Sequence, residues 1–323
     1  MVKNLVVIGC GNIGSRHLQA LTKLPFNIHV EIVDPDLNSH KIAQSRLDEV
    51  GYDKQKHEFY WHTSISELKQ KNNDLVIIAT TAINRISILE QLLLLNNSKF
   101  LIEKIVCQSV KEYEKLLELL KKFNARGWVN TCLRYFSSWR KIKEQIDISK
   151  PLYVSIIASN VSALGTNAIH YLDLFSWFID DYKIKLDGNF LINELFPNKR
   201  GADLVEFAGT LIAKNSNNSS ISLTFLPDTK IPNTVSVVNG YNHIFVNETD
   251  QTGFNITKNQ ELEFKFEHVS STTSKIVSDI ILKDDCILTT VENSFYLHRE
   301  IINIFNDHIK KLTNKQLEQC PIT

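Results

Sequence analysis

The stretch LVVIGCGNIGSRHLQAL, running from Leu5 to Leu21, decides how the whole chain is read. The apolar run Leu5 to Ile8 leads directly into Gly9-Cys10-Gly11-Asn12-Ile13-Gly14, and a helix-length amphipathic segment follows from Ser15 to Leu24. A G-x-G-x-x-G placed between a strand and a helix is a dinucleotide-binding turn. Gly9 permits the tight turn, Gly11 lets the backbone approach a pyrophosphate, and Gly14 allows the helix to pack closely. The free N–H groups at the helix start, in the turn that carries Asn12 and Ile13, supply donors and partial positive charge. The second strand ends in Val33-Asp34, and Asp34 lies 20 residues past Gly14, where a carboxylate accepts from the ribose hydroxyls of the adenosine. That carboxylate would repel a 2′-phosphate, and Pro35 and Asp36 bring no arginine to neutralise one. The expected cofactor is therefore NAD, with NADP less favoured.

Outward from this turn, short β-rich runs alternate with amphipathic helical segments as far as residue 133. The strands are expected at Lys3 to Ile8, Ile28 to Val33, Asp74 to Ala79, Phe100 to Ile102 and Trp128 to Thr131, with helices near Ile13 to Leu24, Leu37 to Val50, Ile83 to Leu95 and Val110 to Phe123. Such alternation implies a doubly wound parallel sheet, a Rossmann domain over residues 1–133. Residues 134–323 read as an α+β domain for substrate and oligomerisation. A helix around His170 to Phe178 is followed by mostly strand-like sequence from Asp203 to about Leu288, which implies a large, mostly antiparallel open sheet. A last helix, Glu292 to Leu312, carries an apolar stripe that packs back on the body. NSNNSS at Asn215 to Ser220 reads as a hairpin tip.

The length of 323 residues allows two domains with cores of their own. Lys plus Arg and Asp plus Glu are 36 each, a net charge of zero, which disfavours nonspecific nucleic-acid binding. The five cysteines are scattered without a C-x-x-C pair, so neither a disulfide framework nor a zinc site is expected, and a reducing cytoplasm is the natural location. No run approaches the length of a membrane span. His57 and His62 lack metal-ligand spacing and read as structural.

The order of motifs resembles the Gfo/Idh/MocA family, the glucose-fructose oxidoreductase and inositol dehydrogenase relatives, over nearly the whole chain. GCGNIGSRHLQAL is similar to the family's opening, DLVIIAT at Asp74 to Thr80 to its strand before the nicotinamide pocket, FLIEK at Phe100 to Lys104 to its Glu-Lys-Pro element, LRYF at Leu133 to Phe136 to its Arg-Phe strand end, and GTNAIHYLDLF at Gly165 to Phe175 to the helix bearing its histidine. The resemblance implies cofactor contacts from Thr80, Glu103 and Lys104. It also gives chemistry to two residues that, taken singly, read as a strand-end lysine and a packed helix histidine. His170 can accept and return a proton near neutral pH, and Lys104 can steady a developing alkoxide. Thr166 and Asn167 would hydrogen-bond a hydroxylated substrate, Arg134 and Tyr135 would meet an anionic group on it, and Asp173, which taken singly reads as a surface helix acid, would at most support the site from behind.

The family's Ala-Thr-Pro reads Ala79-Thr80-Thr81, its Glu-Lys-Pro reads Glu103-Lys104-Ile105, its next histidine falls at Arg85, and the Asp four residues before its helix histidine is Thr166. A bend directed by proline after Lys104 is lost or made differently, and a proton relay through that Asp is in question. The resulting expectation is an NAD-dependent oxidoreductase acting on a hydroxyl or ketone carbon of a free or nucleotide-linked sugar, with surface-glycan synthesis as one setting. A homodimer or homotetramer would form through the C-terminal sheet. The alternatives are a dinucleotide-binding sensor without turnover, or an enzyme that keeps its nicotinamide bound and uses it transiently.

Overall fold

The computed structural model describes residues 2–159, 163–267 and 269–323. The chain divides into two compact units: residues 1–107, 111–135 and 267–291 form the first, and 108–110, 136–266 and 292–323 the second. The division departs from the expected single boundary at 133/134 in three places: residues 108–110 lie in the second unit, 134–135 lie in the first, and 267–291 return to the first.

The first unit opens with β1 (Lys3–Ile8), α1 (Asn12–Leu21), β2 (Ile28–Val33), α2 (Leu37–Val50) and β3 (His57–His62). It continues through β4 (Leu75–Ile78), α3 (Arg85–Leu94), β5 (Lys99–Ile102), α4 (Val110–Lys122) and β6 (Arg126–Val129). All six strands run parallel in the order β3-β2-β1-β4-β5-β6, the doubly wound Rossmann arrangement with its switch point between β1 and β4. Leu5 to Ile8 and Leu75 to Ile78 are fully or almost fully buried, as strands covered on both faces must be. The sequence reading missed β3. Its segment HEFYWH pairs with β2 along its length, and His62 Nε2 lies 3.0 Å from the buried Glu31 carboxylate, a structural role.

The second unit runs through α5 (Ser137–Lys143), β7 (Leu152–Ser159), α6 (Leu164–Ile179), β8 (Lys185–Leu191), β9 (Phe196–Pro197), β10 (Val205–Glu206), β11 (Gly209–Lys214) and β12 (Ser220–Leu226). It ends with β13 (Thr234–Asn239), β14 (Asn242–Asn247), β15 (Thr252–Asn255) and β16 (Gln260–Glu263). Eight strands form one sheet, β16-β15-β14-β13-β7-β12-β11-β8, antiparallel except where β7 meets β12. Alternation along β7, β12 and β13 buries Val154, Ile156, Leu223, Phe225, Val235 and Val237 on one face. Tyr153 and Phe245 are exposed on the other. The hairpin tip at Asn215 is closed by its own Asn side chain, which accepts from the Asn217 and Ser219 N–H groups.

After β16 come α7 (Val269–Lys283) and α8 (Val291–Thr313). The first is a correction. VSSTTSKIVSDIILK is rich in β-branched residues and reads as strand by propensity, yet Thr272, Thr273, Ile276, Val277 and Ile280 are buried at helical spacing, three of them in the core of the first unit beside Leu18 and Leu21 of α1. Packing of a helical stripe outweighs intrinsic preference here. Along α8, Leu297, Ile301, Phe305 and Ile309 are buried, with Phe305 stacked on Phe207 at 4.0 Å between ring centroids. No helix among the described residues is long and apolar enough to cross a membrane.

Candidate functional site

The glycine turn closes as its spacing requires. Gly9 has φ +86°, and a Cβ there would stand 3.1 Å from the Ala79 and Thr80 backbone; a Cβ on Gly14 would fall 1.9 Å from the Gly9 carbonyl oxygen. Gly11 meets nothing within 4 Å, which leaves the approach open on the side where a pyrophosphate would lie. No side chain caps α1 and no acid stands in its first turn, so the N–H groups beginning at Asn12 and Ile13 remain available to an anion. Arg46 of α2 reaches this turn, donating to Asn12 Oδ1 (3.2 Å) and Ser15 Oγ (2.5 Å).

Asp34 is fixed from both sides. Its Oδ2 accepts from Cys10 N–H at 2.8 Å and its Oδ1 from Asp36 N–H at 2.9 Å. A carboxylate offers about four acceptor positions, so two remain for ribose hydroxyls. Burial and the neighbouring Asp34 charge push the Cys10 thiol up to about 12, which leaves it an inert, packed residue.

At the ends of β4 and β5 stand Thr80, Glu103 and Lys104. Thr80 Oγ1 is buried and finds no hydrogen-bond partner among the described residues, and the same holds for Asn130 Oδ1. Orphaned polar atoms of this kind at the C-terminal ends of the strands fit a cofactor that brings its own donors. Lys104 is 7% exposed. The Glu103 carboxylate points elsewhere than expected. It lies 2.9 Å from His17 Nε2 and accepts from Asn130 Nδ2 at 2.5 Å, while His17 Nδ1 meets Thr273 Oγ1 of α7 at 2.9 Å. Burial would raise its pKa, but the His17 and Asn130 contacts and the Lys104 charge hold it down at about 2. Glu103 therefore braces the turn that carries Lys104.

That turn is made without proline: the Lys104–Ile105 peptide is cis. Arg85, at the start of α3, donates to the carbonyls of Thr80, Glu103, Ile105 and Val106. Nothing in the sequence flagged these contacts beyond the departure at position 85.

Arg134 and Tyr135, expected as substrate ligands, are buried inside the first unit. The Tyr135 hydroxyl donates to Asp279 of α7 at 2.8 Å, and burial with the neighbouring acidic groups raises its pKa. Arg134 Nη1 reaches the Ile287 carbonyl at 3.4 Å.

In the second unit, α6 starts early enough to hold Thr166, Asn167 and His170 within its first two turns, with Thr166 and His170 on one face. The carboxylate missing from position 166 has a counterpart. Glu206 of β10, 5% exposed, accepts from the Thr166 N–H at 3.2 Å, from the Thr166 hydroxyl, and from Asn198 Nδ2 at 3.0 Å. A Cβ on Gly165 would lie 2.9 Å from that carboxylate, which explains the small residue there. Asp173 is fully buried. Among the described residues no cluster of His, Cys, Asp and Glu could hold a metal ion.

Residues 3–131 match the model of the GFO_IDH_MocA oxidoreductase family, described as an NAD-binding Rossmann fold. Over that portion the chain is similar to the Gfo/Idh/MocA oxidoreductases, whose model describes an NAD-binding Rossmann fold. No curated protein matches the sequence. Among solved structures, an oxidoreductase from Agrobacterium radiobacter in complex with NAD+, L-tartaric acid and magnesium is similar, with 13% identity and a TM-score of 0.72 over 93% of this chain and 94% of that one. KijD10, a 3-ketoreductase from Actinomadura kijaniata in complex with TDP-benzene and NADP, has 14% identity and a TM-score of 0.70 over 94% and 96%. UDP-N-acetylglucosamine 3-dehydrogenase GnnA from Acidithiobacillus ferrooxidans has 13% identity and a TM-score of 0.69, again over 94% and 96%. At such identities the likeness is one of fold.

Proposed function

We propose that the protein is an NAD-dependent dehydrogenase or reductase acting on a CH–OH or ketone carbon of a carbohydrate, free or nucleotide-linked. The observation that carries this reading is the first unit's switch-point edge. An open Gly11, an Asp34 anchored by Cys10 N–H, orphaned Thr80 and Asn130 oxygens and a buried Lys104 all stand at the C-terminal ends of β1, β2, β4, β5 and β6. Gly9, Gly11, Gly14 and the start of α1 would hold the pyrophosphate, and Asp34 the adenosine ribose. The nicotinamide, when bound, accepts or returns the hydride.

The remaining steps fall to this chain's side chains. Lys104 steadies the oxygen of the reacting carbon as negative charge develops on it. His170 takes the hydroxyl proton in oxidation and gives it back in reduction. Thr166 and Asn167 of α6 bind substrate hydroxyls. The Thr166 hydroxyl proton is donated to Glu206, so Thr166 can only accept from a ligand, and a hydroxyl on the sugar satisfies it. With Tyr135 bonded to Asp279 and Arg134 buried in the first unit, we assign neither to the substrate.

The preference for NAD rests on Asp34, whose charge opposes a 2′-phosphate, and the five free thiols suit a reducing cytoplasm. Assembly as a dimer or tetramer is assigned to the outward face of the eight-stranded sheet, where Tyr153 and Phe245 are exposed. The test mixes the protein with NAD or NADP and a panel of inositols, hexoses and uridine-diphosphate sugars, and follows reduced nicotinamide. Oxidation of a sugar with NAD supports the reading. Tight cofactor binding without oxidation of any sugar, or reduction of its keto form, points to a binding module. Asp34→Ala should narrow the NAD preference by about 1–3 kcal/mol; equal NAD and NADP affinity in the unaltered protein would remove Asp34 from that role.

A further inference from the structure

We propose that Arg85 is a positioning residue that locks the two backbone segments of the nicotinamide end, Thr80 after β4 and Glu103 to Val106 after β5, into one rigid unit and so fixes where Lys104 stands. This rests on the dinucleotide reading above and concerns the half of the cofactor distant from the adenosine.

Arg85 occupies an unfavourable place on general grounds. It is the first residue of α3, where the helix dipole opposes a cation, and it is 1% exposed, where an unpaired charge is strongly destabilising. Backbone oxygens compensate for both. Nη1 donates to the carbonyls of Glu103, at 2.5 Å, of Ile105, and of Val106, at 3.2 Å, and Nη2 donates to the Thr80 carbonyl. One planar group thus bridges the ends of two neighbouring parallel strands. The carbonyls on both sides of Lys104 are held, while the Glu103 side chain is held separately by His17 and Asn130. The backbone flanking Lys104 has little freedom left.

The residue type follows from the geometry. Four carbonyls spread over two segments match the flat fork of a guanidinium, with donors fixed in one plane; a lysine offers one ammonium point and an imidazole two opposed nitrogens. The chain therefore departs from the family at position 85 and at the missing proline after Lys104 together, and the two departures meet at the same carbonyls.

The experiment compares NADH with ADP-ribose, which lacks the nicotinamide, as ligands of the unaltered protein, Arg85→Ala and Arg85→Lys. The expected result for both variants is ADP-ribose affinity within about twofold of the unaltered protein, NADH affinity weaker by on the order of tenfold with altered nicotinamide fluorescence, and turnover lower by roughly a hundredfold, the scale of a small misplacement of reacting groups. Millimolar guanidinium should restore NADH binding to Arg85→Ala, whereas methylammonium should not. If both ligands weaken in parallel, Arg85 serves the general stability of the unit and the proposal fails. It fails equally if Arg85→Lys behaves as the unaltered protein. Should the unaltered protein bind neither ligand, the dinucleotide reading itself falls, an outcome separate from any effect of the substitutions.

Discussion

The glycine turn of the first unit and the start of α6 in the second reach comparable polar sites by opposite routes. At the turn, the contacts that define the site come from residues near each other in sequence or at neighbouring strand ends: Gly14 packs on Gly9, and Asp34 accepts from Cys10. At α6, the helix supplies Thr166, but the carboxylate beside it arrives from Glu206, 40 residues on, with Asn198 completing its partners. A site written in a contiguous motif tolerates little substitution within the motif. One assembled from separate strands can lose its expected acid at one position and carry it at another.

The contrast is broken or sharpened by substitution. The largest effect is expected from the proposed acid–base pair. Lys104→Ala and His170→Asn should each lower turnover by roughly two to four powers of ten while leaving ADP-ribose affinity nearly unchanged, as steady-state rates and calorimetry would show. Wild-type turnover in either variant, with chemistry rate-limiting, removes that residue from the reaction.

Next in size is a difference between two buried glutamates. Glu103 is held low by His17 and Asn130, whereas Glu248 accepts from the Tyr171 hydroxyl at 2.9 Å, and burial pushes its pKa from 4.5 up to about 7. A raised carboxyl pKa means the folded state binds more protons than the unfolded one between those values. Stability should therefore fall as pH rises from about 4.5 to about 7, by up to ~3 kcal/mol, and level off above. Glu248→Gln should flatten that slope in urea titrations. For Glu103 the sign is reversed: its contribution is present above pH 4.5 and is lost as pH falls toward 2.

Gly14→Ala and Gly11→Ala separate packing from binding. The first forces the Gly9 carbonyl aside and should cost about 1–3 kcal/mol of stability; the second meets open space and should leave stability within about 1 kcal/mol while weakening ADP-ribose. Equal losses of stability in the two would contradict the geometry. Smallest is Glu206→Gln, which keeps an acceptor for Thr166 but removes the charge at the helix start. A loss near 1 kcal/mol in thermal unfolding is expected, and no loss would make the Glu206 charge irrelevant to α6.

The first unit was largely legible because Rossmann strands are continuous apolar runs and the G-x-G-x-x-G fixes their polarity. The short strand at His57 to His62 escaped because its alternation is of histidine and aromatic residues. Gly9, Gly14 and Asp34 could be placed from spacing alone. The inward turn of Glu103, the pairing of Tyr135 with Asp279 and the arrival of Glu206 at Thr166 could not, since each joins residues distant in sequence whose meeting depends on packing. The helix from Val269 to Lys283 was hidden for a related reason: its β-branched composition argues for strand, and only the buried stripe on α1 argues otherwise.

That helix also governs the order in which the protein can mature. Its Ile276, Val277 and Ile280 belong to the same core as Leu5, Leu18 and Trp128, so a nascent chain that has presented all six strands of the dinucleotide unit still lacks one wall of it until residue 291 has emerged. The eight-stranded sheet, encoded in between, is synthesised while that wall is missing. Because domains fold as units during synthesis, the unit whose code begins first is completed after the sheet strands of the second have all appeared, and a fragment ending at Tyr135 would expose Leu18 and Trp128 to water.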